Sequence, residues 1–224
     1  MSTARERILA ATTELIASQS AEEISTRSIC AKAQVGAPEI SRQFGGKRGL
    51  MAVVADRGFE RFLASKRKNP RTEDPVADVR TAWDSHVRFA LENPHLYRLM
   101  FTPDGEPKPQ AVKEAQALLL GVLRRCEAAG RLVLAPAVAG QAILAANVGV
   151  CLMMLSFPEL FGDLAVSEVV RDAVLGRVTG QAQGDGDAGQ AAAAVLARAL
   201  VGTLSGTVTV EEEVVQALSR SLDS

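Results

Sequence analysis

Apolar residues in this chain recur at intervals of three and four, and prolines and glycines cut the pattern into short lengths. No stretch alternates apolar with polar residues long enough to make a convincing strand. The nearest, 207–210, reads as the start of a helix. That periodicity restricts the fold to helices packed on helices. Composition agrees: Ala, Leu and Val are abundant while aromatic residues are only 4%, which suits close helix packing better than a β-sandwich. The spacing predicts helices over 3–18, 25–34, 37–44 and 47–68, then over 76–92, 95–101, 110–129, 138–157 and 167–179. Two more are expected over 190–204 and 211–222. The glycine- and aspartate-rich stretch 180–189 reads as a loop.

Charge divides the 224 residues unequally. Residues 1–72 hold 13 Lys and Arg against 7 Asp and Glu, a net of +6, whereas 73–224 hold 12 against 19, a net of -7. A basic first third on an acidic remainder is the footprint of a polyanion-binding head on a separate body, although a solvated basic face gives the same count. The expected domains are therefore 1–68 and 72–224, with the helix over 47–68 joining them.

Several classes drop out. Cys30, Cys126 and Cys151 are an odd number with no close pair, so three reduced, mostly buried thiols are expected rather than disulfides or a zinc site. His86 and His95 are the only histidines and stand nine apart, which is no metal-binding spacing on one helical face. No nucleophile motif, P-loop or Rossmann glycine pattern occurs. Neither an enzyme nor a cofactor or metal is expected. The stretch 138–157 is uncharged, yet it contains Gln141, Asn147 and two glycines, and reads as a core or interface helix rather than a membrane span. With no signal-peptide pattern ahead of the first helix, the expected location is the cytoplasm.

The segment 25–47 carries the chemistry. A helix, a turn at Val35-Gly36 and a shorter helix inside a basic region make a DNA-reading unit. Ser25 or Thr26 can cap the first of these helices, and Pro38 falls in the first turn of the second, where a missing N–H costs little. Ile40 and Phe44 point to the core with Ala37, leaving Pro38, Glu39, Ser41, Arg42 and Gln43 around the other side. Arg42 suits guanine or phosphate, Gln43 adenine, Ser41 a base or phosphate, and Glu39 the cytosine amino group. Lys47 opens the next helix, where ammonium and backbone N–H groups both attract phosphate. Ser25, Thr26 and Arg27 stand in the same relation to the preceding helix, and Ala37 begins the shorter one. These ten residues are the candidate DNA contacts; the plain alternative is an ordinary polar surface.

The sequence RERILAATTELI, followed by STRSICAKAQVGAPEISRQFGGKRGLMAVVADR, resembles the N-terminal domain of the tetracycline-repressor (TetR) family of bacterial transcription regulators. The likeness runs without gaps from Arg5 to Phe62, anchored on Ile8, Leu15, Thr26, Ile29, Ala31, Val35, Phe44, Lys47 and Leu50. Four positions depart from the family pattern. Gln34 replaces a turn glycine and would need a positive φ, Gly36 replaces a capping serine, and Ser41 and Gln43 replace tyrosines.

The resemblance implies an all-α protein: a three-helix helix-turn-helix head, then a helical body with a ligand cavity and a homodimer interface. It also implies a double-stranded DNA operator and a small, apolar effector as partners. WDSHVRFALENPHLYRLMF resembles a stretch found in many members and brings Trp83, His86, Phe89, Tyr97, Met100 and Phe101 near one another. In the uncharged helix Ile143, Asn147, Val150, Cys151 and Met154 share a stripe. Trp83, His86, Phe89, Tyr97, Met100, Phe101, Asn147, Cys151 and Met154 are thus the candidate ligand contacts, with His86, Asn147 and Tyr97 as orienting polar groups. Taken singly, each reads more readily as a plain core residue; taken together they point to a pocket somewhere in this domain. Two Ala- and Val-rich faces suit pairing of subunits: Ala191–Ala194 with Leu196, Leu200 and Leu204, and Val169, Val170, Ala173, Val174 and Val178. A helical adaptor that keeps this fold without DNA binding is the alternative to a ligand-responsive repressor.

Overall fold

The computed structural model describes residues 2–69, 71–101 and 110–180, the side chains of 110–112 excepted. Among them there is no strand. The expected helices over 190–204 and 211–222, the loop beyond Gly180 and the Ala191–Leu204 pairing face lie outside the described residues.

The head is built from α1 (Ala4–Ile16), α2 (Thr26–Ala33) and α3 (Pro38–Phe44). The first two helices start where a side chain can take the orphan N–H groups of their first turn. Thr3 caps α1 in a capping box with Glu6, and Ser25 caps α2 in a second box with Ser28. Ile8, Leu9, Ile16, Ile24, Ile29 and Ile40 close on one another with Leu50 to form the head's core. Burying a side chain of that size stabilises by about 1.5–3 kcal/mol. Gln34 ends α2 in the left-handed region, with φ 53°, as its place in the turn requires. The α3 N-cap is Ala37, which makes no side-chain cap, and Pro38 stands at the first helical position.

Helix α4 (Lys47–Arg67) leaves the head and runs into the body. Its Gly49 lies against the end of α3: a Cβ there would sit 1.9 Å from the Phe44 carbonyl oxygen. Farther along, Gly58 lets the side chains of Leu96 and Met100 rest on the helix backbone, where a Cβ would come within 2.8 Å of the Met100 sulfur. Those two residues belong to α6 (Pro94–Phe101), which follows α5 (Pro75–Glu92).

The body is completed by α7 (Gln110–Ala128), α8 (Pro136–Ser156), a one-turn helix α9 (Pro158–Phe161) that the periodicity does not reveal, and α10 (Leu164–Thr179). Asp74 caps α5 and Asp163 caps α10, which carries the start of α10 back to Leu164 from the expected 167. Helix α8 is long and apolar enough to cross a membrane by length and composition, with a mean hydropathy of 1.9. It packs between α7 and α10 through buried Ile143, Asn147, Val150, Cys151 and Met154. Its other side leaves Val138, Gln141, Ala142 and Ala145 exposed. The α10 stripe divides: Val170 and Val178 turn inward, because α10 packs on α8 and α5, while Val169 stays 59% exposed.

Candidate functional site

Two places in the molecule carry chemistry, one at each end of α4. At the head, Ser25, Thr26, Arg27, Ala37, Pro38, Ser41 and Arg42 are exposed, and Glu39, Gln43 and Lys47 are half-buried. Two arginines of α1 fix the framework beneath them. Arg5 donates to the Gln43 carbonyl at 3.1 Å and stacks 4.5 Å from the centre of the Phe44 ring, and Arg7 donates to the Ala33 carbonyl at 3.2 Å. Both therefore hold the C-terminal carbonyls of short helices that have few turns of their own. Lys47 Nζ donates to the Glu22 carbonyl at 3.4 Å, tying the first turn of α4 to the loop before α2.

The side chains expected to read bases are not all independent. Arg42 and Glu39, three residues apart on α3, form an ion pair at 2.5 Å. Glu39 is the more covered of the two, and its Oε2 is buried without a hydrogen-bond partner. On this helix the carboxylate thus orients the guanidinium while Arg42 stays 69% exposed. The Ser25 hydroxyl accepts from Ser28 N–H at 3.0 Å, so it already serves as a cap.

The second place is a cavity of about 360 Å³ enclosed by α4, α5, α7 and α8 with the end of α6. Phe59 and Phe62 of α4, Val79 and Trp83 of α5, Leu119 and Val122 of α7 and Ile143 of α8 give it an apolar wall. Of the residues expected there, Trp83, His86, Phe101 and Asn147 line it. Phe89, Tyr97, Met100, Cys151 and Met154 do not. Phe89 stacks edge-on against Phe62 at 5.2 Å, Tyr97 packs on Phe101 at 4.5 Å, and Met100 rests on Gly58. Cys151 lies 3.6 Å from the Asn147 amide oxygen, and Met154 is buried in the core. These five support the wall from behind rather than forming it.

The polar groups expected to orient a ligand are largely engaged with one another. His86 Nε2 and the Tyr97 hydroxyl are hydrogen-bonded at 2.8 Å. Burial, with the Lys66 charge nearby, holds the His86 pKa well below its ordinary value, so the ring is neutral. Burial likewise raises the Tyr97 hydroxyl. The Trp83 indole N–H donates to Ser167 Oγ at 2.9 Å, and Asn147 donates to the Trp83 carbonyl at 3.4 Å.

The charged groups of the cavity were not among the expected contacts. Asp78 accepts from Thr72 and from Arg125 at 2.5 Å. Burial raises its pKa, but those hydrogen bonds outweigh burial and hold the carboxyl below its ordinary value. Lys66 lies over the Phe62 ring at 5.0 Å and donates to the Ala82 carbonyl and, at 3.0 Å, to Ser85 Oγ. Burial pushes its pKa down to about 7. A signal for it does exist in the sequence: Phe59, Phe62 and Lys66 stand at i, i+3 and i+7, a lysine on an apolar helical stripe. Among the described residues no three His, Cys, Asp or Glu side chains gather as a metal site.

Comparison with known proteins follows the same division. Residues 8–54 match the family described as bacterial regulatory proteins, tetR family, and residues 79–220 match the family described as tetracyclin repressor-like, C-terminal domain. A search of curated proteins finds no match. Among solved structures, a protein with unknown function from Rhodococcus sp. RHA1 is 20% identical with a TM-score of 0.65, over 80% of this chain and 97% of its own. A bacterial regulatory protein in the tetR family from Rhodococcus RHA1 is 17% identical with a TM-score of 0.62, over 80% and 98%. The fatty acid degradation regulator FadR from Bacillus halodurans is also 17% identical, with a TM-score of 0.61 over 78% and 96%. At such identities these likenesses concern the fold.

Proposed function

This chain belongs to the TetR family of bacterial transcriptional regulators, and from that premise we propose that it is a ligand-responsive repressor acting as a cytoplasmic homodimer. Residues 1–68 form its DNA-binding unit and 72–224 its regulatory and pairing unit. Two α3 helices, one from each subunit, read successive major grooves of a pseudo-palindromic operator about 34–36 Å apart, or a multiple of that. Pro38, Ser41, Arg42 and Gln43 face the base edges, oriented in part by Glu39. Ser25, Thr26, Arg27, Ala37 and Lys47 meet the backbone, where contacts fix register rather than sequence.

The effector occupies the cavity between α4, α5, α7 and α8. The observation that carries this reading is that α4 belongs to both places: Lys47 stands beside the recognition helix and Phe59, Phe62 and Lys66 line the cavity. A molecule that seats against α4 acts directly on the element that carries the head. Coupling of this kind is reciprocal and typically worth about 1–3 kcal/mol. For pairing, the exposed side of α8 with Leu160, Leu164 and Val169 supplies apolar surface that stays exposed among the described residues.

Selection from random duplex DNA with the purified full chain, at about 150 mM salt to suppress nonspecific phosphate binding, tests the reading. An enriched palindrome is the expected result. A folded, dimeric protein that enriches nothing supports the adaptor instead.

A further inference from the structure

Three cationic side chains, Lys66, Arg71 and Arg125, line the cavity against one carboxylate, that of Asp78. Asp78 is committed to Arg125, which also donates to the Thr72 carbonyl at 2.5 Å. That leaves Lys66 and Arg71, neither of which makes an ion pair among the described residues. Arg71 is exposed to solvent. Lys66 is not free to hydrate fully. Its ammonium has three N–H donors, and two uncharged acceptors, the Ala82 carbonyl and Ser85 Oγ, meet it. Ser85 Oγ is itself shared, since Asn69 Nδ2 donates to it at 3.1 Å. The rim therefore carries more donors than acceptors and a positive charge beside an apolar wall. A charge held in that way is costly unless something pairs it.

We infer that the cavity takes an amphipathic carboxylate, with its hydrocarbon or aromatic body between Phe62, Trp83, Leu119 and Ile143 and its anionic head on Lys66 Nζ. The volume suits a small molecule, lying near the lower end of the roughly 300–1,000 Å³ common for ligand pockets. The carboxylate supplies the third acceptor and the missing negative charge at once, and charge-assisted hydrogen bonds of this type are stronger than neutral ones. Uncharged molecules of the same shape would gain the apolar contacts alone. This inference rests on the cavity being the effector site.

Protonation adds a signature. The groups near Lys66 are Asp84 and His86 on α5 and Cys151 on α8. His86 stays neutral, and burial raises the Cys151 thiol to about 11. On α7, Arg125 is paired with Asp78 and Glu114 with Arg67, while Lys113, Arg124 and Glu127 are exposed. Lys66, at about 7, is thus the cavity group that titrates near neutrality. A carboxylate binds its protonated form, so affinity falls as pH rises above that value, while an amide's affinity stays level.

The chain has one tryptophan, Trp83, and it lines the cavity, so its fluorescence reads occupancy directly. The test titrates the full-length protein with two sets of probes sharing a body and differing in the head. One set is 4-phenylbutyrate, 4-phenylbutyramide and 4-phenylbutylamine; the other is decanoate, decanamide and decylamine. At pH 6.5 at least one acid is expected to bind about tenfold or more tighter than its amide and amine, a preference that shrinks by pH 8.5. Lys66→Met removes the preference and Lys66→Arg keeps it, both checked for a cooperative melting transition. An amide or amine that binds as tightly as its acid overturns the inference, as does a folded Lys66→Met protein that still prefers the acid. Either result leaves the regulator reading intact. No response to any of the six overturns the effector cavity along with it. Tight acid binding that leaves operator affinity unchanged upholds the site and sinks its regulatory role.

Discussion

Arg42 in the head and Lys66 in the body are both cations on short-range apolar frameworks, and they are handled in opposite ways. Arg42 is mostly exposed and has its carboxylate, Glu39, three residues away on the same helix. Lys66 makes no ion pair among the described residues, lies over an aromatic ring, and has its pKa pushed down to about 7 by burial. The first arrangement stores little energy and presents a charge to a large, highly charged partner. The second holds a charge at a cost that a single small partner can relieve. A basic surface and a lone cation in an apolar cavity are therefore different devices, and they should respond differently to the same kinds of perturbation.

The strongest contrast is expected where a cavity charge does have its partner. Arg125→Met leaves the Asp78 carboxylate buried with only Thr72 donating to it. We expect a loss of about 3 kcal/mol in urea unfolding, the low end for breaking a buried pair because Thr72 remains. Asp78's native pKa is depressed. Its contribution is therefore present above the ordinary Asp value of about 3.9 and lost as pH falls through the lower native value. Arg125→Met should accordingly unfold at a higher pH on acidification than the wild type, as followed by circular dichroism.

Next in size is the head's own cation. Arg42→Ala should weaken operator binding by about 1–3 kcal/mol and relax specificity at one position, whereas Lys47→Ala should weaken all sequences alike and reduce the salt slope. A shift in melting temperature in place of a shift in DNA affinity would show that Arg42 serves the fold.

Lys66 should declare itself through stability against pH. Its folded pKa lies below its unfolded value, so the unfolded chain binds more protons between about 7 and the unfolded value near 10.4. Stability should rise with pH across that window, and Lys66→Met should flatten the rise. The smallest effect belongs to Glu39→Gln. A helical pair at this spacing, half-covered as this one is, contributes about 0.3–0.5 kcal/mol, so the melting point should move little while affinity for any duplex rises as a negative charge leaves the interface.

The head was legible because its determinants are local. Thr3 with Glu6, Ser25 with Ser28, Pro38 at the start of α3 and the glycines after Phe44 each act within one turn of themselves. Gln34 was expected at a positive φ because the family it resembles has a turn glycine there, and it has one. Helix α9 went unread because four residues between a proline and a glycine carry no period. The cavity was half legible. Trp83, His86 and Phe101 were found because their stretch resembles one in the family, and Asn147 because its helix shows an apolar stripe. The stripe does not say which of its members faces a void and which a neighbour, so Phe89 and Met154 look no different from them. Lys66, Arg125 and the α7 wall come from helices far apart in sequence, and only the packing of α4 on α5 and α7 brings them together.

Gly58 has a mechanical consequence. It is the bare point of α4 on which Leu96 and Met100 bear, so it is a natural fulcrum. At about 1.5 Å of rise per residue, Lys66 lies roughly 12 Å along the shaft on one side and Lys47 roughly 16 Å on the other. Any rocking of a stiff α4 about that bearing swings its head end in the opposite sense to its cavity end, and about one-third farther. On the proposed reading, a small shift under the aromatic wall would be geared up, and reversed, at the Lys47 end.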